Sequence, residues 1–341
     1  MRTSRLTAVL ILLFIMVLAR PVYSSSLTLV VTTNRQAPAV YGVGDSVTLT
    51  GSVNNGSAVP DALVFFEVDT PKHNPWIIRT LTTGQTPAGP WTVQLLSVTP
   101  CDAYGDPIYT FSAGNDAGFN VTLRNNALSA YTAVVTINAF FSNGLPFVLM
   151  TVFNGTLQPG QTASVITWPV NIPVNSVNGQ AIVYASVFND YPKNEGLPYS
   201  PEQSATFNIN SGTPQQAPTN STLGTFNMTV PLASTPSLPI WVGNYSVYAI
   251  THYGYSVALA QTNFTAKLIE DITGPNGVPD GKVDIRDISL VAKHFDTVAG
   301  GPNWDPVCDL TGPNGVPDGK VDIRDISLVA KAFGIVVNLD P

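Results

Sequence analysis

The aspartates of this chain crowd into two matching stretches near its end. Residues 271–295 read DITGPNGVPDGKVDIRDISLVAKHF and residues 309–333 read DLTGPNGVPDGKVDIRDISLVAKAF. The period is 38 residues, and 23 of 25 positions are identical; only Ile272/Leu310 and His294/Ala332 differ. Drift erases likeness of this degree, so both copies answer to one constraint or the duplication is recent. Each copy spaces its carboxylates around a D-G turn: Asp271, Asp280, Asp284 and Asp287, then Asp309, Asp318, Asp322 and Asp325. Several carboxylates brought together by a glycine turn supply hard oxygen donors, the chemistry a divalent cation such as Ca2+ requires.

The core of each copy, D-G-K-V-D-I-R-D, matches the second half of an EF-hand calcium loop. Such a loop places oxygen donors at positions 1, 3, 5, 7 and 9, a carboxylate at 12 and Gly at 6. With Asp287 at position 12, Asp284 falls at 9, Lys282 offers its backbone carbonyl at 7, Gly281 sits at 6 and Asp280 at 5. Asp325, Asp322, Lys320, Gly319 and Asp318 repeat the set. The first half departs from the motif, because a strict 12-residue loop would put Val278 at position 3, and Val cannot ligate. Asp271 is therefore read as position 1 and Thr273 as near position 3, with the GPNGVP stretch looped out, as Gly and Pro permit. Asp309 and Thr311 are their equivalents.

A helix follows each loop. Ile288, Val291, Ala292 and Phe295 fall at i, i+3, i+4 and i+7, an apolar face that Ile326, Val329, Ala330 and Phe333 repeat. A tandem of calcium loops, each followed by one helix and lacking the entering helix of a full EF-hand, resembles a dockerin. The resemblance covers residues 271–334. It implies two bound Ca2+ ions and a cohesin-like protein partner. It implies partner contacts at Ile285, Arg286 and Lys293 in one copy, and at Ile323, Arg324 and Lys331 in the other. Dockerins often carry Ser or Thr where this chain has Ile-Arg, so the family's partner preference does not transfer. In EF-hand pairs the position-8 residue, here Val283 and Val321, joins the two loops; Ile285 and Ile323 packing inward across the pseudo-twofold is the alternative to their contacting a partner.

Composition bounds the rest. The chain has 341 residues, 11% of them charged, with a net charge of −7. That acidity argues against nucleic acid, which needs basic patches. Residues 271–341 hold 11 of the 22 acidic residues, all Asp. At the N-terminus a basic Met1–Arg5 region precedes an apolar run, Leu6–Ala19, and small residues at Val22-Tyr23-Ser24, the pattern of a secretory signal peptide spanning 1–24, with an uncleaved signal-anchor as the alternative. No other segment is apolar and long enough to span a membrane, so an extracellular protein, secreted or surface-associated, is expected. Secretion gives meaning to the N-x-S/T sequons at Asn55, Asn120, Asn154, Asn220, Asn227, Asn244 and Asn263. Cys101 and Cys308 could pair in an oxidising compartment or stay as two thiols. Because His73, His252 and His294 are scattered, cysteine-based metal binding is not expected.

The region before the repeats reads as β-structure. Partial alternation with β-branched residues marks strands at 27–32, 46–53, 62–68 and 76–82. A second block, 91–209, carries enough strands for a complete sandwich, and a Pro/Gln/Ser/Thr-rich linker, 211–222, follows it. Residues 223–267 carry three more strands, too few to close a sandwich alone. The opening around Tyr41–Gly51 and Pro60–Val68 looks like that of macroglobulin-like and related immunoglobulin-like domains. Four strands before the block plus three after it make seven, the immunoglobulin-like count.

The expected architecture is therefore multidomain and mainly β. One immunoglobulin-like sandwich comprises 27–86 plus 218–267, a second (87–210) is inserted in it, and a small dockerin-like helical domain spans 271–334. Three consecutive small domains are the alternative.

No catalytic constellation stands out: G-x-S-x-G, H-E-x-x-H and a Gly-rich phosphate loop are all missing from the sequence. Glu67 and Asp69 read as a solvated strand face, Asp102 and Asp106 as turn residues. Trp76, Trp91, Trp168 and Trp241 could make a sugar platform, though core packing suits most of them better. Three functions fit: a secreted non-catalytic protein with a calcium-dependent docking tail, a carbohydrate-binding accessory module of a polysaccharide-processing assembly, and a structural adhesin.

Overall fold

The computed structural model describes residues 26–210, 223–235, 238–313 and 316–339. The expected signal segment, the 211–222 linker and the Asn220 sequon lie outside the described residues. The chain is mainly β. Five strands come first: β1 (Thr28–Thr33), β2 (Val40–Gly42), β3 (Ser46–Asn54), β4 (Leu63–Asp69) and β5 (Pro75–Thr82). Eight follow: β6 (Val93–Cys101), β7 (Thr110–Phe111), β8 (Asp116–Asn125), β9 (Tyr131–Phe140), β10 (Pro146–Leu157), β11 (Thr162–Asn171), β12 (Gly179–Phe188) and β13 (Gln203–Ile209). Then come β14 (Thr225–Pro231), β15 (Gly243–Tyr253) and β16 (Ser256–Lys267). The last stretch holds helix α1 (Ile285–Lys293), β17 (Thr297–Val298), β18 (Lys320–Val321) and helix α2 (Ile323–Lys331).

Strands from both sides of β6–β13 interleave in the same sheets. One sheet has the order β1-β3-β14 and another β2-β16-β15-β4-β5. β14 pairs antiparallel with β3, setting Val230 opposite Val47, and β15 pairs antiparallel with β4, setting Val247 opposite Val68. Alternation explains the fit: along β1, Leu29 and Val31 point inward while Thr28 and Val30 face out. The shared core is dominated by aromatic rings, with Tyr245 stacked on Phe264 (centroids 4.9 Å apart) and Phe66 edge-on to Phe226 (5.1 Å). Strands β6–β13 form their own pair of sheets, ordered β10-β9-β12-β13-β7 and β11-β8-β6, around a separate core that includes Phe119, Ile137 and Phe207.

The two sheet pairs meet face to face, and this corrects one expectation. Every residue of β4 is buried. Val64, Phe66 and Val68 enter the first core, whereas Phe65 packs with Ile78, Ile250, Val134 and Phe188 between the sheet pairs. Burying a Phe ring in this way stabilises by roughly 1.5–3 kcal/mol. Glu67 and Asp69 share the Phe65 face, so they are not solvated: they are 0% and 1% exposed. Lys193, from the turn after β12, reaches across to them, with Nζ 3.3 Å from Glu67 Oε1 and 3.2 Å from Asp69 Oδ2. Its backbone N–H also donates to Glu67 Oε2 at 2.9 Å. A few residues away, Arg79 donates from Nε to Glu202 Oε2 (2.9 Å) with its guanidinium over the Tyr184 ring. Charges removed from water persist only when paired in this manner.

The C-terminal stretch packs on the first sheet pair. Val283, Val291, Val321, Val329 and Val337 join the same apolar cluster as the strands. Asn338 stitches the chain end in place, donating its N–H to Ile240 O (2.7 Å) and accepting from Val242 N–H (2.8 Å). The expected helix faces are only partly right. Val291 and Val329 are buried and Ile288 and Ile326 half-buried, but Ala292, Ala330, Phe295 and Phe333 are exposed. The inward line runs instead through Asp287 and Val291, and through Asp325 and Val329. Both helices end at lysine, Lys293 and Lys331, so Phe295 and Phe333 lie beyond the helical period that seemed to include them.

Candidate metal centre

Each repeat is a loop held by its own carboxylates. Asp271, 5% exposed, accepts N–H bonds from Gly281 (Oδ2, 2.7 Å) and Asp280 (Oδ1, 3.2 Å). Asp309 accepts from Gly319 (2.8 Å) and Asp318 (3.2 Å) in the same way. Asp287 is fully buried; its Oδ1 accepts from Ile272 and Thr273 N–H and its Oδ2 from Asp284 N–H. Asp325 does the same with Leu310, Thr311 and Asp322. The first and last carboxylates of each loop thus meet its backbone from both ends. The GPNGVP stretch is an excursion outside that ring: Gly274 lies so close to Val278 O and Asp280 that a Cβ would stand 2.6 Å from the carbonyl.

The helix start is part of the same device. Asp284 caps α1 by accepting from Arg286 N–H, while Asp287 returns a bond to Asp284 N–H, a reciprocal capping box. Asp322 and Asp325 do this for α2. Sequence puts a carboxylate where a helix N-terminus wants one, so the residue that begins the helix also faces the loop.

Arg286 closes the mouth. Its guanidinium bonds Asp284 and lies 3.0 Å from Asp280 Oδ2; Arg324 lies 2.8 Å from Asp322 Oδ2 and 3.6 Å from Asp318 Oδ2. Hydrogen bonds from the Arg286 side chain and backbone hold the Asp284 carboxyl down to about 2. Asp271 moves the other way: burial raises its pKa, as do the neighbouring Asp287 and Asp280 charges, against the N–H bonds of Gly281 and Asp280. A cation among these carboxylates would reverse that push.

The two loops are joined crosswise. Val283 N–H donates to Ile335 O (3.0 Å), beyond α2, while β18 pairs Val321 with Thr297, beyond α1. The expectation that Val283 and Val321 pair with each other is therefore corrected: each pairs with the segment that follows the other copy's helix. The crossed arrangement follows from the 38-residue period, since Thr297 and Ile335 are equivalent positions. In these ladders the carbonyls of Gly281 and Val283, and of Gly319 and Val321, accept from the partner segment.

The donor set is all oxygen: four carboxylates and a carbonyl in each copy. Oxygen donors of this kind are what a hard cation of the calcium type takes. Among the described residues, however, no three of these carboxylates place donor atoms within 4.8 Å of one another, and Asp280 and Asp284, paired with Arg286, would have to turn inward to share an ion. Asp271, Asp280, Asp284 and Asp287 would hold one ion with the Lys282 carbonyl, and Asp309, Asp318, Asp322 and Asp325 a second with that of Lys320. Thr273 and Thr311 are brought in by their backbone N–H groups.

The expected partner-contact residues lie beside these loops. Ile285 is 63% and Ile323 62% exposed, so neither packs inward, and Lys293 and Lys331 are exposed. Arg286 and Arg324 are shared between the surface and their own aspartates.

Other sequence candidates separate. Cys101, in β6, and Cys308 are free, buried thiols in different parts of the fold, so the disulfide alternative is set aside. Burial pushes the Cys308 thiol up to about 11, away from nucleophilic use. His294 is not isolated: one of its ring nitrogens, an Asp305 carboxylate oxygen and Cys308 Sγ lie within 4.8 Å of one another. That corrects the reading that scattered histidines leave cysteine without metal partners. The signal was present, because His294 is one of the two positions at which the copies differ. Of the described sequons, Asn154, Asn227, Asn244 and Asn263 are exposed, while Asn55 and Asn120 are half-buried. Asp102 does sit in a turn, accepting from Tyr104 and Asp106 N–H. Trp76 packs on Tyr245 and Trp241 sits under Lys72; Trp168 is 42% exposed. Among the described residues, no helix is long and apolar enough to cross a membrane.

No protein-family model matches the chain, and no curated protein matches it. Solved structures show only a weak likeness. The C-terminal domain of wzt is 12% identical at a TM-score of 0.30, with 38% of this chain and 78% of that one covered. A CARDB domain from Pyrococcus furiosus, solved with di-metal ions, is 18% identical at 0.23, covering 36% and 90%. The alkylpurine DNA glycosylase AlkC of Pseudomonas fluorescens is 14% identical at 0.27; 36% of this chain is covered, and the match spans 31% of the glycosylase. Likeness at these scores carries no argument about function.

Proposed function

We propose that this chain is a secreted or cell-surface, non-catalytic protein whose C-terminal unit is a calcium-dependent docking module of dockerin type. Two immunoglobulin-like sandwiches, the second inserted in the first, carry that module. Calcium in each loop would hold the capping aspartates, and with them the angle between loop and helix. The partner is a cohesin-like protein domain, met by Ile285, Arg286 and Lys293 or by Ile323, Arg324 and Lys331.

One observation carries the reading. The two copies reproduce the same carboxylate-to-backbone bonds and present the same exposed isoleucine beside an arginine, at 63% and 62% exposure. An apolar side chain kept on the surface in both copies gains from being covered, and Arg favours interfaces. The duplication offers two equivalent faces related by about a half-turn, so a partner could dock in either of two orientations.

The test is mutational, with a partner captured from the native secretome. Changing Ile285 and Arg286, or Ile323 and Arg324, should each lose little affinity, whereas changing all four should lose most of it. If one pair alone abolishes binding with the fold intact, docking uses a single face. If the quadruple variant binds unchanged, the surface is not the docking site. The carbohydrate and adhesin readings remain as outcomes: binding to a glycan array by the quadruple variant would favour the first, and calcium-dependent self-assembly without a partner the second.

A further inference from the structure

We propose that His294, Asp305 and Cys308 form a binding site for a zinc-class divalent cation, separate from the aspartate loops. The three groups come from two pieces of chain: His294 is the C-cap of α1, while Asp305 is the N-cap of the 3-10 turn Pro306–Cys308 and Cys308 ends that turn. The fold brings their donor atoms within 4.8 Å of one another, so that a small closing movement of the side chains would let one ion touch all three. A nitrogen, an oxygen and a sulfur donor together select Zn2+ or Co2+ over Ca2+, which takes oxygen alone.

The surroundings hold each donor in place, and the ion itself would have to draw the proton from the Cys308 thiol. His294 Nδ1 hydrogen-bonds the Asn303 carbonyl. A carbonyl only accepts, so Nδ1 carries the proton and Nε2 keeps its lone pair, the arrangement that orients a metal-binding imidazole. Asp305 accepts from Val307 N–H through Oδ1 at 3.0 Å, which fixes the carboxylate. Cys308 is fully buried, its Sγ 3.7 Å from the Leu290 carbonyl near the end of α1. The C-terminal end of a helix carries partial negative charge and favours a cation. On binding, Sγ forms a bond to the metal and releases its proton to water; nothing is oxidised or reduced.

The site lies outside the symmetry of the repeats. His294 is replaced by Ala332 in the second copy, and the positions one period before Asp305 and Cys308 are Lys267 and Glu270. Only the first copy can build it. Three protein ligands leave a fourth position open to water, as in zinc centres that are not purely structural. An ion here would fasten the connection between the two copies to the end of α1.

The test uses Co2+ as a spectroscopic probe on the full chain, reduced with a phosphine and saturated with Ca2+. One equivalent should produce a sulfur-to-cobalt charge-transfer band in the near ultraviolet, and Zn2+ should bleach it. Cys101→Ser should keep the band and Cys308→Ser should lose it. His294→Ala installs the residue that the second copy already carries, so folding should survive while cobalt affinity falls by ~10-fold or more. No band in the parent chain, a band that survives Cys308→Ser, or unchanged affinity in His294→Ala would each overturn the proposal. The band does not require occupied aspartate loops, so failure of the calcium reading would show separately, as missing calcium heat with the cobalt signal intact.

Discussion

Gly281 donates its backbone N–H to Asp271 Oδ2 at 2.7 Å, across ten positions of sequence. Gly319 does the same to Asp309 at 2.8 Å. This bond closes each loop on itself, and in the first copy residues 275–279 of the excursion are exposed outside it. It also requires a left-handed residue at the turn: both glycines have φ of +83°. The surroundings are unequal, however. A Cβ on Gly281 would stand 2.9 Å from Val337 O, whereas on Gly319 the nearest atom is Ala299 Cβ at 3.5 Å. Gly319→Ala should cost about 1–2 kcal/mol from the backbone alone. Gly281→Ala should cost visibly more, because it also disturbs the ladder to the chain end. Thermal melts of the two variants, compared side by side, check the order.

Asp287 and Asp325 should be the most damaging single losses in the repeats. Each is buried and accepts from three backbone N–H groups. Replacement by Ala strands those donors, and bonds to a charged acceptor are worth roughly 1.5–3 kcal/mol each before any metal is considered. Asp287→Ala and Asp325→Ala should therefore expose the C-terminal unit to proteolysis while β6–β13 stay protected. Equal protease resistance in variant and parent would argue that the loops are held by something else.

Much of the strand pattern is legible in the sequence. Long strands such as β3 and β8 fall where β-branched residues alternate, because each has one face on a core, whereas β9 is buried on both faces along most of its length. β2 is not legible: three residues carry no period, and its place is set by pairing with β16. Nor is the burial of Glu67 and Asp69, which depends on a second sheet pair covering what would otherwise be an open face. The crossed ladder of the repeats is hidden for the same reason, since Val283 and Ile335 are 52 positions apart and no local spacing links them. His294, Asp305 and Cys308 are likewise assembled by a loop whose path the sequence does not announce.

Glu67 should make the contact between the sheet pairs sensitive to pH. Burial raises its pKa from an ordinary 4.5 to about 7, with the Asp69 carboxylate adding to the rise; the Lys193 N–H and ammonium oppose it. The folded chain therefore binds this proton more tightly than the unfolded chain does. The stabilisation is complete below pH 4.5 and is lost as pH climbs through 7. Glu67→Gln keeps an acceptor for Lys193 N–H and removes the titration. Its melting temperature should lose the corresponding fall between those two pH values; a profile parallel to that of the parent would contradict the assignment.

Residues 87–210, expressed alone, should fold cooperatively, because β6–β13 pair only among themselves and surround their own core. Residues 27–86 should not, since β3 and β4 would lack β14 and β15. A cooperative melt from the shorter fragment would count against an inserted arrangement. The guest fragment will expose Val134 and Phe188, so self-association at high concentration is expected.

The most direct test of the account is a calorimetric titration of the metal-stripped full chain with Ca2+, repeated on Asp287→Asn, Asp325→Asn and the double variant. Two ions per chain are expected, one lost in each single variant and both in the double, with a calcium-dependent rise in the melting of the C-terminal unit. A chain that takes up no calcium, or whose double variant binds as the parent does, would contradict it.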